Sequence, residues 1–360
     1  MRIQQDKKLD FSDVLIVPQR SELGSRSEVT IEREFKFKHS KQTLEVFPII
    51  AANMDSVGTV AMAEKLAEFR SMVALHKFYP IEKLAQFFAT NYNLWNNVFY
   101  TVGANVDDLK KLKAIGQILG HKEFPKMICL DAANGYSKHF VGHLKALREV
   151  YPNAIIMAGN VVTPNMTEEL ILQGADIVKV GLGNGSVCLT RLRTGVGYPQ
   201  LSAVAECSFV AHGLGAHIVS DGGCTNEGDI CKAFCAGADF VMTGSMLTAT
   251  DECEGEWEYE SGFYDLIYQT SSNNKKKYFK YHGMSSQEAQ KQWYGGLADY
   301  RASEGKEVKI PYRGPVENIM KSIAGGVRSC ATYVGAKKIK DLPKCAEFIQ
   351  VNNQLNRIYS

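Results

Sequence analysis

Cys188 ends the glycine-rich run Gly181-Leu182-Gly183-Asn184-Gly185-Ser186-Val187 and is followed by Leu189-Thr190-Arg191. A thiol placed there suits nucleophilic catalysis. Glycines let the chain bend tightly and bring backbone amides and carbonyls against a ligand or ion. The flanking Arg191 and Arg193 can favour the thiolate, which is the attacking form of cysteine. Two blander readings stay open. Gly181 and Gly183 begin a dinucleotide-binding G-x-G, although Ser186 stands where the third glycine belongs. A cysteine is also often no more than a small buried apolar residue.

Two further turns, Ser220-Asp221-Gly222-Gly223 and Thr243-Gly244-Ser245, offer free backbone amides of the kind that hold phosphate. Ordinary turn chemistry accounts for them equally well. Asp221 and Asp131 suit either ribose hydroxyls or helix caps, and Lys77 suits either a cofactor phosphate or a solvated surface. Glu304, within Tyr300-Arg301-Ala302-Ser303-Glu304-Gly305, becomes an acid or base only if its loop folds over the site.

The elements that must carry these residues are short β-branched runs starting near Pro48, Met72, Val98, Met127, Ala154, Asp176, His217 and Asp239. Stretches with apolar residues at helical spacing separate them, such as Thr59 to Phe69, Asp107 to Leu119 and Thr167 to Gln173. Eight alternating units predict an α/β fold, a TIM (β/α)₈ barrel, with an open doubly wound sheet as the alternative. The sixth unit is conspicuously long, and its excess lies between Gly181 and Gly197, around Cys188. A second excess, Met246 to about Arg313, predicts an extended flap after strand eight, with a mobile polar tip at Ser271 to Lys277. Both belong on the C-terminal face of a barrel, where ligands bind.

We expect one catalytic domain over 1–360, with an N-terminal segment at 1–45 and a C-terminal arm at about 345–360 that crosses the barrel or a neighbour. The chain has 360 residues, 45% of them hydrophobic and 22% charged, which is enough for a large core. A net charge of +2 implies neither a nucleic-acid nor a membrane partner. No apolar run approaches the about 20 residues of a membrane helix, and Met1 to Asp10 has no secretory pattern. The expected location is the cytoplasm. Nine scattered cysteines are expected to be reduced. Cys231 and Cys235, four apart, make at most half of a metal site.

The sequence resembles the IMP dehydrogenase and GMP reductase family over nearly its whole length. The resemblance rests on GNGSVCLTRLRTGVGYPQLSAV from Gly183, SDGG from Ser220, GMSS from Gly283, YRASEG from Tyr300 and GGVRSCATYVGA from Gly325. These segments look like the reductase branch. The stretch from Tyr92 to Val98 leaves no room for the regulatory modules usual in the dehydrogenases. The dehydrogenases' water-activating Arg-Tyr pair is also reversed here, in Tyr300-Arg301 and Tyr312-Arg313. The segment from about Glu256 to Tyr281 looks longer and more polar than the reductases lead one to expect.

The resemblance implies NADPH-dependent reductive deamination of GMP to IMP in purine salvage, through a Cys188 thioimidate, with Thr190 and Glu304 as the proton relay. Implied nucleotide positions are Asp221, Gly222, Gly223, Gly244, Ser245, Gly283, Met284, Ser285, Arg301, Ala302, Ser303 and Gly305. Implied cofactor positions are Lys77, Asp131, Ala132, Ala133, Met284, Tyr300, Arg301, Ser329, Cys330, Ala331 and Thr332, with Ser25 and Arg26 reaching in from a neighbouring subunit. A monovalent cation, potassium in the family, is implied at the carbonyls of Gly183, Gly185 and Cys188, with Arg191 as a further position. A homotetramer is implied as well. The rivals are an IMP dehydrogenase without regulatory modules and a nucleotide-binding barrel without catalysis.

Overall fold

The structure, a computed structural model, describes residues 1, 3–121, 124–260 and 275–352. Eight strands close into a barrel: Ile49–Ala51, Met72–Leu75, Val98–Gly103, Met127–Asp131, Ile155–Val161, Ile177–Val180, His217–Asp221 and Phe240–Thr243. Each pairs in parallel with the next, and the eighth pairs with the first. All eight fall where the β-branched runs predict them. The open-sheet alternative is excluded by the closure.

Polar caps start the outer helices. Thr59, Asn105, Ser137 and Asn226 accept backbone N–H bonds from Met62, Asp108, Phe140 and Asp229, each cap contributing about 1 kcal/mol. The capping alternative for Asp131 and Asp221 therefore fails, because Ser137 and Asn226 already hold those positions.

Side-chain alternation sorts each strand into an outward and an inward row. Outward residues such as Val73, Ile128, Ile156 and Val178 pack against the helices. Inward residues form a second cluster that includes Met72, Phe99, Met127, Cys129, Ile155, Ile177, Val219 and Phe240. The hairpin Arg33–Lys36 and Thr43–Val46 plugs the N-terminal end of this inner core, with Phe35 stacked on Phe240 at 4.2 Å. Two residues further along the inward rows come Thr101, Asp131, Lys179 and Asp221. Apolar filling thus gives way to charge at the C-terminal end of the barrel, and that change of layer makes the floor of a cavity.

The flap is more regular than the sequence suggests. It contains a three-stranded antiparallel sheet, Trp257–Glu260, Lys275–His282 and Glu307–Pro311, and a helix, Gln287–Tyr294. The expected mobile tip must be corrected accordingly. Residues 271–274 lie outside the described residues, whereas Lys276 and Lys277 are in the central strand, and the Lys276 ammonium sits 4.4 Å above the Trp257 ring. Pairing with Glu307–Pro311, a distant partner, organises this segment, and no local pattern reports such a partner. In hindsight the alternation of Phe279 and Tyr281, both buried, with Lys280 and His282 is the strand signal.

The C-terminal arm crosses its own chain: Glu347–Gln350 pairs antiparallel with Val14–Val17. Residues 353–360 lie outside the described residues. Among the described residues no helix is long and apolar enough to cross a membrane.

Candidate active site

The loops at the C-terminal end of the barrel surround a cavity of about 790 Å³, within the roughly 300–1,000 Å³ of small-molecule sites. Its wall includes Cys188, Thr190 and Glu304, the turns at Gly222 and Gly223 and at Gly244 and Ser245, and the flap residues Gly283, Met284, Ser285, Tyr300 and Arg301. Lys77, Asp131, Ala132 and Ala133 line it as well.

Cys188 is half-buried, in contrast to the fully buried Cys129 and Cys207, whose thiols burial pushes up to about 12. Its Sγ lies 3.2 Å from Thr190 Oγ1, and that hydroxyl donates to Glu304 Oε2 at 2.7 Å. A thiol, a hydroxyl and a carboxylate thus form one hydrogen-bonded chain. The flap supplies its last member by pairing directly with the cysteine loop: Cys188 bridges Gly305, Leu189 N donates to Glu304 O, and Lys306 N donates to Val187 O. Gly305 must be glycine there, since a Cβ would lie 2.8 Å from Ser286 N and 3.0 Å from Gly283 O. The surface-loop alternative for Glu304 is therefore excluded.

Arg191 differs from expectation. Its guanidinium donates to Asp10 Oδ2 at 3.0 Å and to the Tyr198 carbonyl at 2.6 Å rather than facing Sγ. Arg193 is exposed. Neither basic side chain is hydrogen-bonded to the thiol. The Gly185 carbonyl accepts from Cys188 N, folding the cysteine back over Gly183-Asn184-Gly185. This turn offers carbonyl oxygens, which suit a hard monovalent cation. No group of three His, Cys, Asp or Glu side chains among the described residues is arranged to hold a metal ion. Cys231 and Cys235 are buried on the helix Glu227–Cys235, which packs against the helix Val316–Val334 that carries Cys330.

Lys77 is not a solvated surface lysine. It lies 3.2 Å from Asp108 Oδ2 and near the Phe78 and Tyr294 rings. Burial lowers its pKa, but the Asp108 charge, the Tyr294 hydroxyl and the hydrogen bonds to both together outweigh that and raise it.

Two groups of expected residues stand apart from the cavity wall. Ala302, Ser303 and Gly305 belong to the flap without lining the cavity, and Ser303 Oγ donates to the Gly305 carbonyl. Ser25, Arg26 and Ser329 to Thr332 are off the wall altogether. They lie on the helical turn Arg26–Glu28 with its cap and on the helix Val316–Val334, which pack together. Ala331 is fully buried within that packing.

Sequence reading missed Lys179, Asn160 and Asn53. Lys179 is almost completely buried, 2.5 Å from Asp131 Oδ1 and 3.3 Å from Asp221 Oδ2, and Asn160 Nδ2 donates to the same Asp221 oxygen at 2.7 Å. The available signal was a lysine interrupting the apolar run DIVKVG.

The model of the IMP dehydrogenase / GMP reductase domain matches residues 8–356. Among curated proteins, a GMP reductase of Aeromonas salmonicida is 52% identical over 360 residues, covering 100% of this chain and 99% of its own. GMP reductases of Serratia proteamaculans and of Yersinia pestis are each 53% identical over the same coverage. The match covers the chain and these relatives almost end to end.

Proposed function

The chain belongs to the IMP dehydrogenase / GMP reductase family, and we propose that it is a GMP reductase, reducing and deaminating GMP to IMP with NADPH in purine salvage. The observation that carries this reading is the chain from Cys188 through Thr190 to Glu304 at the mouth of the cavity. The full-length likeness to relatives named GMP reductase supports it.

In this reading the Cys188 sulfur adds to C2 of the purine, making a thioimidate with the 2-amino group as the leaving group. Ammonia leaves only if protonated. The Cys188 thiol proton passes through Thr190 to Glu304 along the hydrogen bonds described above, and Glu304 then returns it through the Thr190 hydroxyl to the leaving amine. NADPH, when bound, supplies the hydride that replaces the amine at C2, and cleavage of the carbon–sulfur bond frees IMP and the thiolate.

Asp221 holds the ribose, and the amides of Gly222, Gly223, Gly244 and Ser245, with Gly283 to Ser285, hold the phosphate and base; Arg301 to Gly305 close over them. Lys77, Asp131, Ala132, Ala133, Met284, Tyr300 and Arg301 fit the nicotinamide half of the cofactor, since they line the same cavity. Ser25, Arg26 and Ser329 to Thr332 serve the cofactor of a neighbouring subunit within a homotetramer. The carbonyls of Gly183, Gly185 and Cys188 would hold a monovalent cation, potassium, with Arg191 as a further position, and the ion would order the loop that bears the nucleophile. The chain works as one catalytic domain in the cytoplasm.

A two-substrate assay tests the reading. NADPH oxidation that depends on GMP and releases ammonia is expected. NAD⁺ reduction that depends on IMP would make it a dehydrogenase instead, and tight GMP binding without turnover would make it a non-catalytic nucleotide binder.

A further inference from the structure

Lys179 is the one lysine at the cavity whose ammonium is wholly enclosed, with 2% of its side chain exposed. Its three N–H donors have three partners: Asp131 Oδ1 at 2.5 Å, Asn53 Oδ1 at 3.2 Å and Asp221 Oδ2 at 3.3 Å. No donor remains for a substrate. The lysine must therefore act through the residues it touches.

Those residues face the cavity. Asp131 and Asp221 keep 34% and 19% of their side chains exposed there. Each presents one oxygen to Lys179, and among the described residues no hydrogen bond reaches the other one, Oδ2 of Asp131 or Oδ1 of Asp221. The two carboxylates come from the ends of the fourth and seventh strands, on either side of the sixth, which carries the lysine. The backbone is adapted to this. A Cβ on Gly159, in the fifth strand, would lie 2.5 Å from Lys179 Cβ, so only glycine there lets the lysine sit inward.

We propose that Lys179 is a positioning residue that fixes the ribose carboxylate of Asp221 and the nicotinamide-side carboxylate of Asp131 as one ionised pair, so that the substrate and cofactor subsites share a counter-ion. The proposal rests on the GMP reductase reading for the identity of the two ligands. Without the ammonium, two carboxylates share an enclosed floor. They repel, and each turns from the orientation its ligand requires.

Three variants, Lys179→Met, Asp131→Asn and the two combined, are compared with the wild-type chain by equilibrium binding of GMP and of NADPH, each measured separately, and by thermal melting. Lys179→Met should weaken both ligands by about tenfold or more. Adding Asp131→Asn removes one of the two charges, so GMP binding through Asp221 should recover to within about threefold of wild type. NADPH should stay weak. Lysine support of general structure alone would move the two ligands together, so equal recovery of both, or of neither, overturns the proposal. A Lys179→Met chain that binds both ligands as wild type does overturns it as well. Should Lys179→Met fail to fold, the double variant is read against Asp131→Asn alone; a double variant that also fails to fold makes the lysine structural and ends the proposal. A wild-type chain that binds neither GMP nor NADPH defeats the functional reading, and this inference with it. Wild-type binding of both, with no effect of Lys179→Met, defeats this inference alone.

Discussion

Thr190 and Glu304 are separated by 114 residues and joined by a hydrogen bond of 2.7 Å. Thr190 begins the short helix Thr190–Thr194 after the cysteine loop, whereas Glu304 is carried by the flap. The proton route proposed for the leaving amine therefore exists only when the flap lies against the loop, where backbone bonds from Leu189 and Lys306 hold it. Chemistry and flap docking are one event in this geometry.

Glu304→Gln keeps an oxygen that can accept from Thr190 but removes the exchangeable proton. In single-turnover experiments ammonia release should slow by roughly 10²–10⁴, the usual worth of general acid catalysis, while hydride transfer to a preformed intermediate should slow far less. Equal slowing of both steps would reduce Glu304 to a structural latch.

Cys188→Ser should abolish both ammonia release and NADPH oxidation. GMP affinity should stay within about tenfold of wild type, or roughly 1.4 kcal/mol, because the nucleotide contacts proposed above lie on other loops. Calorimetric titration with GMP separates the two effects. Residual turnover near the wild-type rate would remove the sulfur from the mechanism.

The barrel was legible because each strand is short, apolar and bounded by turn residues, and those are local signals. Cys188 stood out because its loop breaks the spacing of the units. Lys179 did not, since its partners Asp131 and Asp221 come from other strands and meet it only when the barrel closes. The same reason hid the Lys275–His282 strand, paired with Glu307–Pro311, and the salt bridge that takes Arg191 away to Asp10. Resemblance assigned one cofactor list, yet in a single chain Lys77 and Asp131 line the cavity while Ser329 and Cys330 do not. Sequence likeness carries residue types, not which of them a single chain brings to one cavity.

Exchanging potassium for a bulky organic cation such as tetramethylammonium should slow turnover, because the proposed carbonyl site at Gly183, Gly185 and Cys188 sits on the loop that bears the nucleophile. A melting temperature measured in the same two salts gives a readout independent of activity, since a bound ion stabilises the folded state by mass action. Identical rates and identical melting would show that no such ion is held.

The flap should also be anchored more weakly as the solution turns alkaline. Asp55 accepts from Trp293 Nε1 at 2.7 Å and lies 3.1 Å from His282 Nε2, so both the flap helix and its central strand are tied to the loop after the first barrel strand. The hydrogen bond to Asp55, opposed by burial, raises the His282 pKa above its ordinary value, with the more distant Glu307 and Glu288 charges adding to it. Burial would raise the Asp55 pKa, but its bonds to His282 and Trp293 outweigh that and lower it. The neighbouring His76, brought down to about 4 by burial, stays neutral through this range. A raised histidine pKa contributes stability that is fully present below the unfolded value of about 6.5 and is lost as pH rises through the folded one. On the acid side, Asp55 contributes above its unfolded value and loses that contribution as pH falls through its lowered folded value. The melting-temperature gap between wild type and His282→Gln should therefore be widest near about pH 6 and shrink toward about pH 8.5. A gap that stays constant over that interval would mean that the histidine packs without titrating.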